Sequence, residues 1–300
     1  MVNFNSRLKD TRLHKFLLIG FFFSLVASCS GEKIDNGQVF RMPISNEPPT
    51  LDWSLATDSV SFDILTNIME GLTQYDSNME PIPAIAKRWE ISKNGKTITY
   101  YLRDDVFWTD GQPVTAHDFE YSWKRLLNPA TAAQYAYFLF DVENAQEFNS
   151  GKISDPSKVG VSAKTAHILE VRLKKPVVYF PSITTFMVTF PQRKDIVEKF
   201  GDHWTDPENI VTNGPFKLSA WEHEYKLILT ANENFYEGRP PLDTILAYVI
   251  REKTTALTLY ETGELEMVEL PPVAIPHFKN HDEYENLPQL RGYYYGINVL

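Results

Sequence analysis

The sequence holds a single cysteine, Cys29, in 300 residues. No intramolecular disulfide and no cysteine-based zinc site can be assembled from it. Basic charge is also short: 29 Lys and Arg face 39 Asp and Glu, a net −10, which argues against a nucleic-acid or anionic-membrane binder working through bulk charge. The 14 glycines never stand at i and i+2, so the dinucleotide loop GxGxxG is absent. The phosphate loop GxxxxGK[ST] and the hydrolase signatures GxSxG and HExxH are missing too. After the first 28 residues nothing approaches the roughly 20 apolar residues of a spanning helix. What is present, 43% hydrophobic, 13% aromatic and 23% charged, is the composition of a folded protein large enough for two domains with their own cores.

The amino terminus carries Arg7, Lys9, Arg12 and Lys15, then an apolar run from Phe16 to Val26 and small residues leading to Cys29. This is the layout of a secretory signal peptide, residues 1–28. Val26-Ala27-Ser28-Cys29 resembles the bacterial lipobox, in which cleavage precedes a lipid-modified cysteine. The resemblance implies lipid attachment at Cys29 and a tethered, externally facing domain in the cell envelope, on the periplasmic or extracellular side. Removal of four basic and one acidic side chain leaves a net −13 on 272 residues. Ser30 to Gly37 reads as a flexible tether.

Further along, a short strand is expected from Val39 to Ile44, ending before Pro48-Pro49. Asp58 or Ser59 caps a helix whose apolar positions Phe62, Leu65, Ile68, Met69 and Leu72 recur every three to four residues, with Gly71 at its stop. Asn94-Gly95 sits between apolar segments as the strongest hairpin signal in the chain. After a turn at Asp110-Gly111, Thr115 and Asp118 form a capping pair for a helix with Phe119, Trp123, Leu126 and Leu127 on one face and Asn128-Pro129 as its stop. A strand runs from Ile168 to Leu173. Beyond Asn213-Gly214-Pro215, Phe216–Trp221 and Lys226–Thr230 read as a hairpin. A strand from Ile245 to Ile250, a helix from Thr254 to Thr262 stopped by Gly263, and a strand from Leu265 to Val268 complete a strand-helix-strand unit. Strands and helices are interspersed, so the fold class is α/β, a mixed α+β arrangement.

Signs of catalysis are few. His277 and His281 stand four apart with Asp282 and Glu283 following, a spacing that can put two imidazoles on one helical face for a metal. Pro276 and the broken, polar surroundings favour a solvated loop instead. Glu222-His223-Glu224 alternates carboxylate and imidazole but is read more simply as a polar hairpin turn. With no cysteine in reach of a nucleophilic role and no paired acids readable from spacing, no catalytic residue, cofactor or metal is assigned, and the chain is read as a non-enzyme.

Glu47-Pro48-Pro49-Thr50-Leu51-Asp52, Glu70-Gly71-Leu72, the run from Trp108 to Ala116, Phe119-Glu120-Tyr121-Ser122-Trp123 and Asn213-Gly214-Pro215 form an ordered series. Together they resemble the extracellular solute-binding proteins, family 5, of peptide-importing ABC transporters. Tyr121 to Arg125 and Thr131 to Tyr137 are more similar to the oligopeptide branch than to the dipeptide or nickel members. The resemblance implies a periplasmic-binding-protein-like clam-shell that hinges shut on its ligand, with a small domain inserted in the first lobe. By similarity, residues 29–75 and 206–290 belong to lobe I, residues 76–205 to the inserted domain, and residues 291–300 to a strand crossing into lobe III. Family members continue further, so most of the second main lobe is expected to be missing; a chain that really ends at Leu300 is expected to bind peptide weakly or not at all, and the milder expectation is that the sequence is a fragment of a full-length importer component.

The implied ligands are oligopeptides held through their backbones in the style of strand addition, with roomy side-chain pockets. The implied partners are the permease subunits, with cytoplasmic ATPases acting indirectly, and the chain is expected to be a monomer. Matching places Thr57, Asp58 and Ser59 where family members offer backbone partners to the peptide, and Tyr135 at a ligand-facing tyrosine. Tyr294 and Tyr295 fall in the aromatic strand at the lobe crossing. Each has a plainer reading: Asp58 and Ser59 as helix caps, Tyr135 as part of an aromatic core with Tyr137, Phe138 and Phe140. Trp108 and Trp123 are assigned to packing. Trp53 replaces the usual proline after Leu51-Asp52, which is expected to alter the turn leading to Thr57. Alternatives are another ligand (nickel, haem, a murein or a signalling peptide) or a metal-dependent lipoprotein hydrolase using His277 and His281.

Overall fold

The computed structural model describes residues 38–286. The expectations for the signal peptide, Cys29, Tyr294, Tyr295 and the crossing strand lie outside the described residues.

Two four-stranded sheets organise the fold. The first has the order β1-β10-β9-β8, with β1 Val39–Ile44, β8 Phe216–Glu222, β9 Lys226–Ala231 and β10 Thr244–Val249. β1 runs parallel to β10 and the other pairs are antiparallel. The second has the order β4-β5-β7-β6, all antiparallel, with β4 Ala86–Ile91, β5 Thr97–Leu102, β6 Val161–Thr165 and β7 Ile168–Arg172. A small ribbon, β2 Thr73–Tyr75 with β3 Pro81–Pro83, precedes it. Three helices matter most: α1 Ser59–Ile68, α2 Ala116–Leu127 and α3 Lys253–Glu261.

The second sheet shows why alternation makes a half-buried strand. Ile98, Tyr100 and Leu102 of β5 and Leu169 and Val171 of β7 point inward and are buried, while the residues between them face out. Helix α2 covers that face, packing on β6 and β7 through Phe119, Ser122, Trp123, Leu126 and Leu127. Its start is the expected capping pair: the Asp118 carboxylate accepts from the Thr115 N–H at 2.7 Å and from its hydroxyl at 2.9 Å. Asn128 ends it and then caps the short turn Pro129–Thr131. Trp108 and Trp123 are buried, and the Trp123 indole donates to Thr189 O at 2.7 Å. Edge strand β4 exposes Lys87, Arg88 and Glu90, which discourages pairing with another chain.

The Asn94-Gly95 hairpin forms, with a longer loop than the two-residue turn such a pair commonly makes. Ser92 N–H donates to Thr97 O at 2.9 Å, Gly95 N–H returns to Ser92 O at 2.8 Å, and Gly95 takes φ +70°, the left-handed region a glycine enters without strain.

Three expectations are corrected. Leu265 to Val268 is not a strand: one backbone bond, Glu266 N–H to Arg41 O at 2.9 Å, reaches β1, and the Arg41 N–H is then taken by the Glu266 carboxylate at 2.5 Å instead of a ladder carbonyl. Helix α1 ends at Ile68, so Met69 and Leu72 are buried beyond it and not as part of its stripe. Its core face is Val60, Ser61, Ile64, Leu65 and Ile68, a 3.6-residue stripe. Phe62 sits off that stripe, half-buried among other aromatic rings.

Candidate functional site

The loop entering α1 is built by short-range hydrogen bonds. Thr50 Oγ1 accepts from Asp52 N–H and Asp52 Oδ1 from Ser54 N–H, both at 3.0 Å. The Asp52 carbonyl accepts from the N–H groups of Leu55 and Ala56 at 2.8 Å. This is an Asx-type turn, the local bonding that aspartate favours. Trp53 is fully buried, edge-on to Trp204 at 4.7 Å, and its indole donates to Phe190 O at 3.3 Å.

Long-range contacts lock the loop. Arg125 of α2 donates from its two terminal nitrogens to Asp52 Oδ1 at 2.9 Å and Oδ2 at 2.6 Å, a bidentate, charge-assisted pair. The Trp204 indole adds a bond to Asp52 Oδ2 at 3.1 Å, and Gln192 Nε2 reaches Ser54 Oγ at 3.0 Å.

Past this lock the chain emerges at Thr57, Asp58 and Ser59. Asp58 is extended, with φ −112° and ψ 156°, and caps α1: its carboxylate accepts from Ser61 N–H at 2.8 Å and from Ser61 Oγ at 2.7 Å. The Tyr135 hydroxyl donates to the Thr57 carbonyl at 3.1 Å, so Thr57 and Tyr135, 78 residues apart in sequence, meet in space. Burial pushes the Tyr135 hydroxyl above its ordinary value, with Tyr137 and Asp58 adding to the shift, and it stays a donor at neutral pH. Among the described residues the N–H groups of Thr57, Asp58 and Ser59 donate to no protein group. The cap satisfies the N–H of Ser61, leaving the start of the helix with free donors on a half-exposed edge. Unpaired backbone donors of this kind can bind a carbonyl-bearing chain laid alongside.

Beyond the helix, Glu70 is tied to the returning chain. Its N–H donates to Asn213 Oδ1 at 2.9 Å, and Gly214 N–H donates to Ile68 O at 2.9 Å. A Cβ on Gly214 would lie 2.5 Å from Ile68 C and 2.6 Å from Met69 N, which explains the glycine at this crossing. The Tyr236 hydroxyl donates to Glu70 Oε2 at 2.8 Å.

The expected alternatives fare differently. Glu222-His223-Glu224 is a hairpin turn that holds Glu47, whose carboxylate accepts from the Trp221 indole at 2.8 Å and from Glu224 N–H at 3.0 Å, with His223 Nδ1 at 2.6 Å. His277 and His281 are exposed with ring centres 5.5 Å apart on a four-residue helix, Ile275–Phe278, and its exit. Among the described residues no group of three potential metal ligands forms. None of their helices is long and apolar enough to cross a membrane. The Asp52–Arg125 lock and the Glu70–Tyr236 pair were not anticipated. Both acids lie in sequence motifs noted above, but nothing local marks their partners.

The model of the bacterial extracellular solute-binding proteins, family 5 Middle, matches residues 80–300. The dipeptide-binding protein DppE of Bacillus subtilis is 34% identical over 275 residues, covering 91% of this chain and 49% of that protein. The oligopeptide-binding protein OppA of the same species is 35% identical over 277 residues, covering 90% and 51%. The crystal structure of an oligopeptide ABC transporter substrate-binding domain from Bacillus anthracis superposes with a TM-score of 0.78 at 36% identity, over 84% of this chain and 49% of that one. The chain thus spans about half the length of the curated relatives it matches. By the extent of the family match and the agreement of fold, the chain belongs to the bacterial extracellular solute-binding proteins, family 5.

Proposed function

We propose that this chain carries the backbone-reading edge of an oligopeptide-binding protein serving an ABC importer. The observation that carries the reading is the row of free N–H groups at Thr57, Asp58 and Ser59 beside the Tyr135 hydroxyl. Peptides differ in side chains but share carbonyls at a regular spacing, so donors on a rigid edge capture many sequences with one geometry. Rigidity is supplied by the Asp52–Arg125 lock on one side and α1 on the other. By family resemblance Tyr294 and Tyr295 are further peptide contacts in this reading. Residues 29–75 and 206–290 form lobe I and 76–205 the inserted domain, a division supported by the separate sheets. Cys29 bears the lipid anchor, the captured peptide passes to the permease subunits, and the chain performs no catalysis.

Calorimetric titration of tri- to pentapeptides into the protein and its Ser59→Pro variant tests the edge. Ser59 is the first helical residue after an extended Asp58, a position where proline fits without strain and where its missing N–H takes nothing from the fold. We expect an unchanged unfolding midpoint and peptide affinity lower by about ten-fold, the worth of one hydrogen bond. Equal affinities for the two proteins would sink the reading. The anchor is checked separately: incorporation of labelled palmitate is expected in the wild-type protein and absent in Cys29→Ala.

A further inference from the structure

We propose that Tyr137 determines specificity at this site, as an exposed aromatic plate that stacks on an aromatic side chain of the bound peptide. The inference rests on the peptide-binding reading above and adds to it the class of side chain preferred.

Its basis is the 3₁₀ segment Gln134–Leu139. With three residues per turn, side chains at i and i+3 share a side. Ala136 and Leu139 take the inner side and are buried. Tyr135 and Phe138 share the second and meet Phe62 and Phe186: Tyr135 lies 6.3 Å from Phe62 and 6.0 Å from Phe186, and Phe138 lies 4.7 Å from Phe186. Tyr137 is left on the third side and is 54% exposed.

An exposed tyrosine is commonplace; a fixed one beside a row of free donors is not. The Tyr137 ring stacks on Phe138 at 4.7 Å with 25° between planes and meets Tyr135 edge-on at 5.9 Å. Those contacts hold its orientation before any ligand arrives, so little side-chain freedom remains to be lost on binding. Tyr135 joins the plate directly to the site, since its hydroxyl holds the Thr57 carbonyl. A peptide strand laid along Thr57 to Ser59 sends alternate side chains to opposite sides. On the Tyr135 side the nearest exposed ring is Tyr137, 5.9 Å from Tyr135 between ring centres, and it is the ring that such a side chain would meet in this proposal. Among the described residues no arginine or lysine lies over the rings of Phe62, Tyr135, Tyr137, Phe138 or Phe186. The flat ring face of Tyr137 is therefore not taken up by a cation of the described residues, and another ring can complement it by offset stacking; the Asp58 carboxylate near Tyr135 makes a cationic side chain the competing occupant that the test must separate.

The test compares dissociation constants for Ala-Ala-Ala, its three single-phenylalanine versions and Ala-Arg-Ala, with the wild-type chain, Tyr137→Ala and Tyr137→Phe. One phenylalanine peptide is expected to bind about ten-fold tighter than Ala-Ala-Ala. Tyr137→Ala should cut that preference to about two-fold and lower the unfolding midpoint by the packing lost on Phe138, and Tyr137→Phe should retain both the preference and the midpoint, because stacking needs the ring and not the hydroxyl. A phenylalanine preference that survives Tyr137→Ala, no preference at all, or a preference for Ala-Arg-Ala overturns the proposal while leaving the backbone-reading edge intact. Failure of every peptide to bind overturns both.

Discussion

The segment carrying the candidate site is pinned at both ends by a carboxylate, and the two anchors are chemical opposites. Asp52, at the start, is met by a guanidinium through two bonds, an indole N–H and a backbone N–H. Glu70, just past α1, has one neutral side-chain partner, the Tyr236 hydroxyl, and the Arg103 guanidinium lies over the Tyr236 ring at 4.5 Å without forming an ion pair to the carboxylate. Burial pushes the Glu70 carboxyl up to about 7, against the pull of the Tyr236 hydrogen bond, and Tyr236 is itself raised by burial and by Glu70. One end of the segment is thus held by a bidentate ion pair, the other by a carboxyl that burial favours in its neutral form.

Removing the cation from the first anchor should have the largest effect. Arg125→Met keeps the length of the side chain but leaves the buried Asp52 without its counter-charge, an arrangement that costs about 3–5 kcal/mol. Urea unfolding at pH 7 measures it. A companion cycle with Asp52→Asn should show strong coupling, because the two side chains share one network. A loss below about 1 kcal/mol would mean that the loop is held by Trp53 and Trp204 packing and not by the ion pair.

The second anchor should respond to pH. The folded protein keeps the Glu70 proton up to about pH 7, whereas an unfolded chain releases it near the ordinary value of 4.5. The stability tied to that proton is full below 4.5 and is lost as pH rises through 7, by about 3 kcal/mol in all. Glu237 opposes ionisation and Arg103 favours it, so both stay in place in the comparison. Glu70→Gln retains an acceptor for Tyr236 and removes the titration. Denaturation midpoints from pH 4 to 8 should fall for the wild type and stay flatter for the variant, which becomes the more stable form at pH 8. Parallel curves would place the Glu70 proton elsewhere.

The contrast also shows how much of the site was readable in advance. Asp58 as a cap, the Thr115–Asp118 pair and the Asn94-Gly95 hairpin depend on atoms within a few residues of one another, so spacing alone reveals them. Thr57 to Ser59 and Tyr135 came from family resemblance, and the structure joins Thr57 to Tyr135 through a bond that no local pattern predicts. The lock on Asp52 pairs residues 73 and 152 positions apart, and the packing of α2 and of the turn ending at Trp204 against the loop brings them together. Phe62 lies off the buried stripe of α1 because its ring packs at the margin of the core against Phe186 and Tyr135, contacts from distant segments that helical spacing does not show. The failed strand at Leu265 to Val268 had the right residue types, but a carboxylate took the place of the carbonyl its neighbour needed.

Asp58 lies between the two anchors and gives the smallest expected effect, and the most discriminating. Its carboxylate is occupied by Ser61 N–H and Oγ, so in this reading it contributes to ligand binding only through its backbone. Asp58→Ala should cost about 1 kcal/mol, as expected for loss of a helix cap, and leave peptide affinity within about two-fold, because the N–H row is retained. Chemical denaturation and calorimetry on the same preparation separate the two quantities. A small stability loss with affinity down ten-fold or more would mean that the carboxylate leaves Ser61 to meet the peptide. The edge would then be reading a charge on its ligand as well as its backbone.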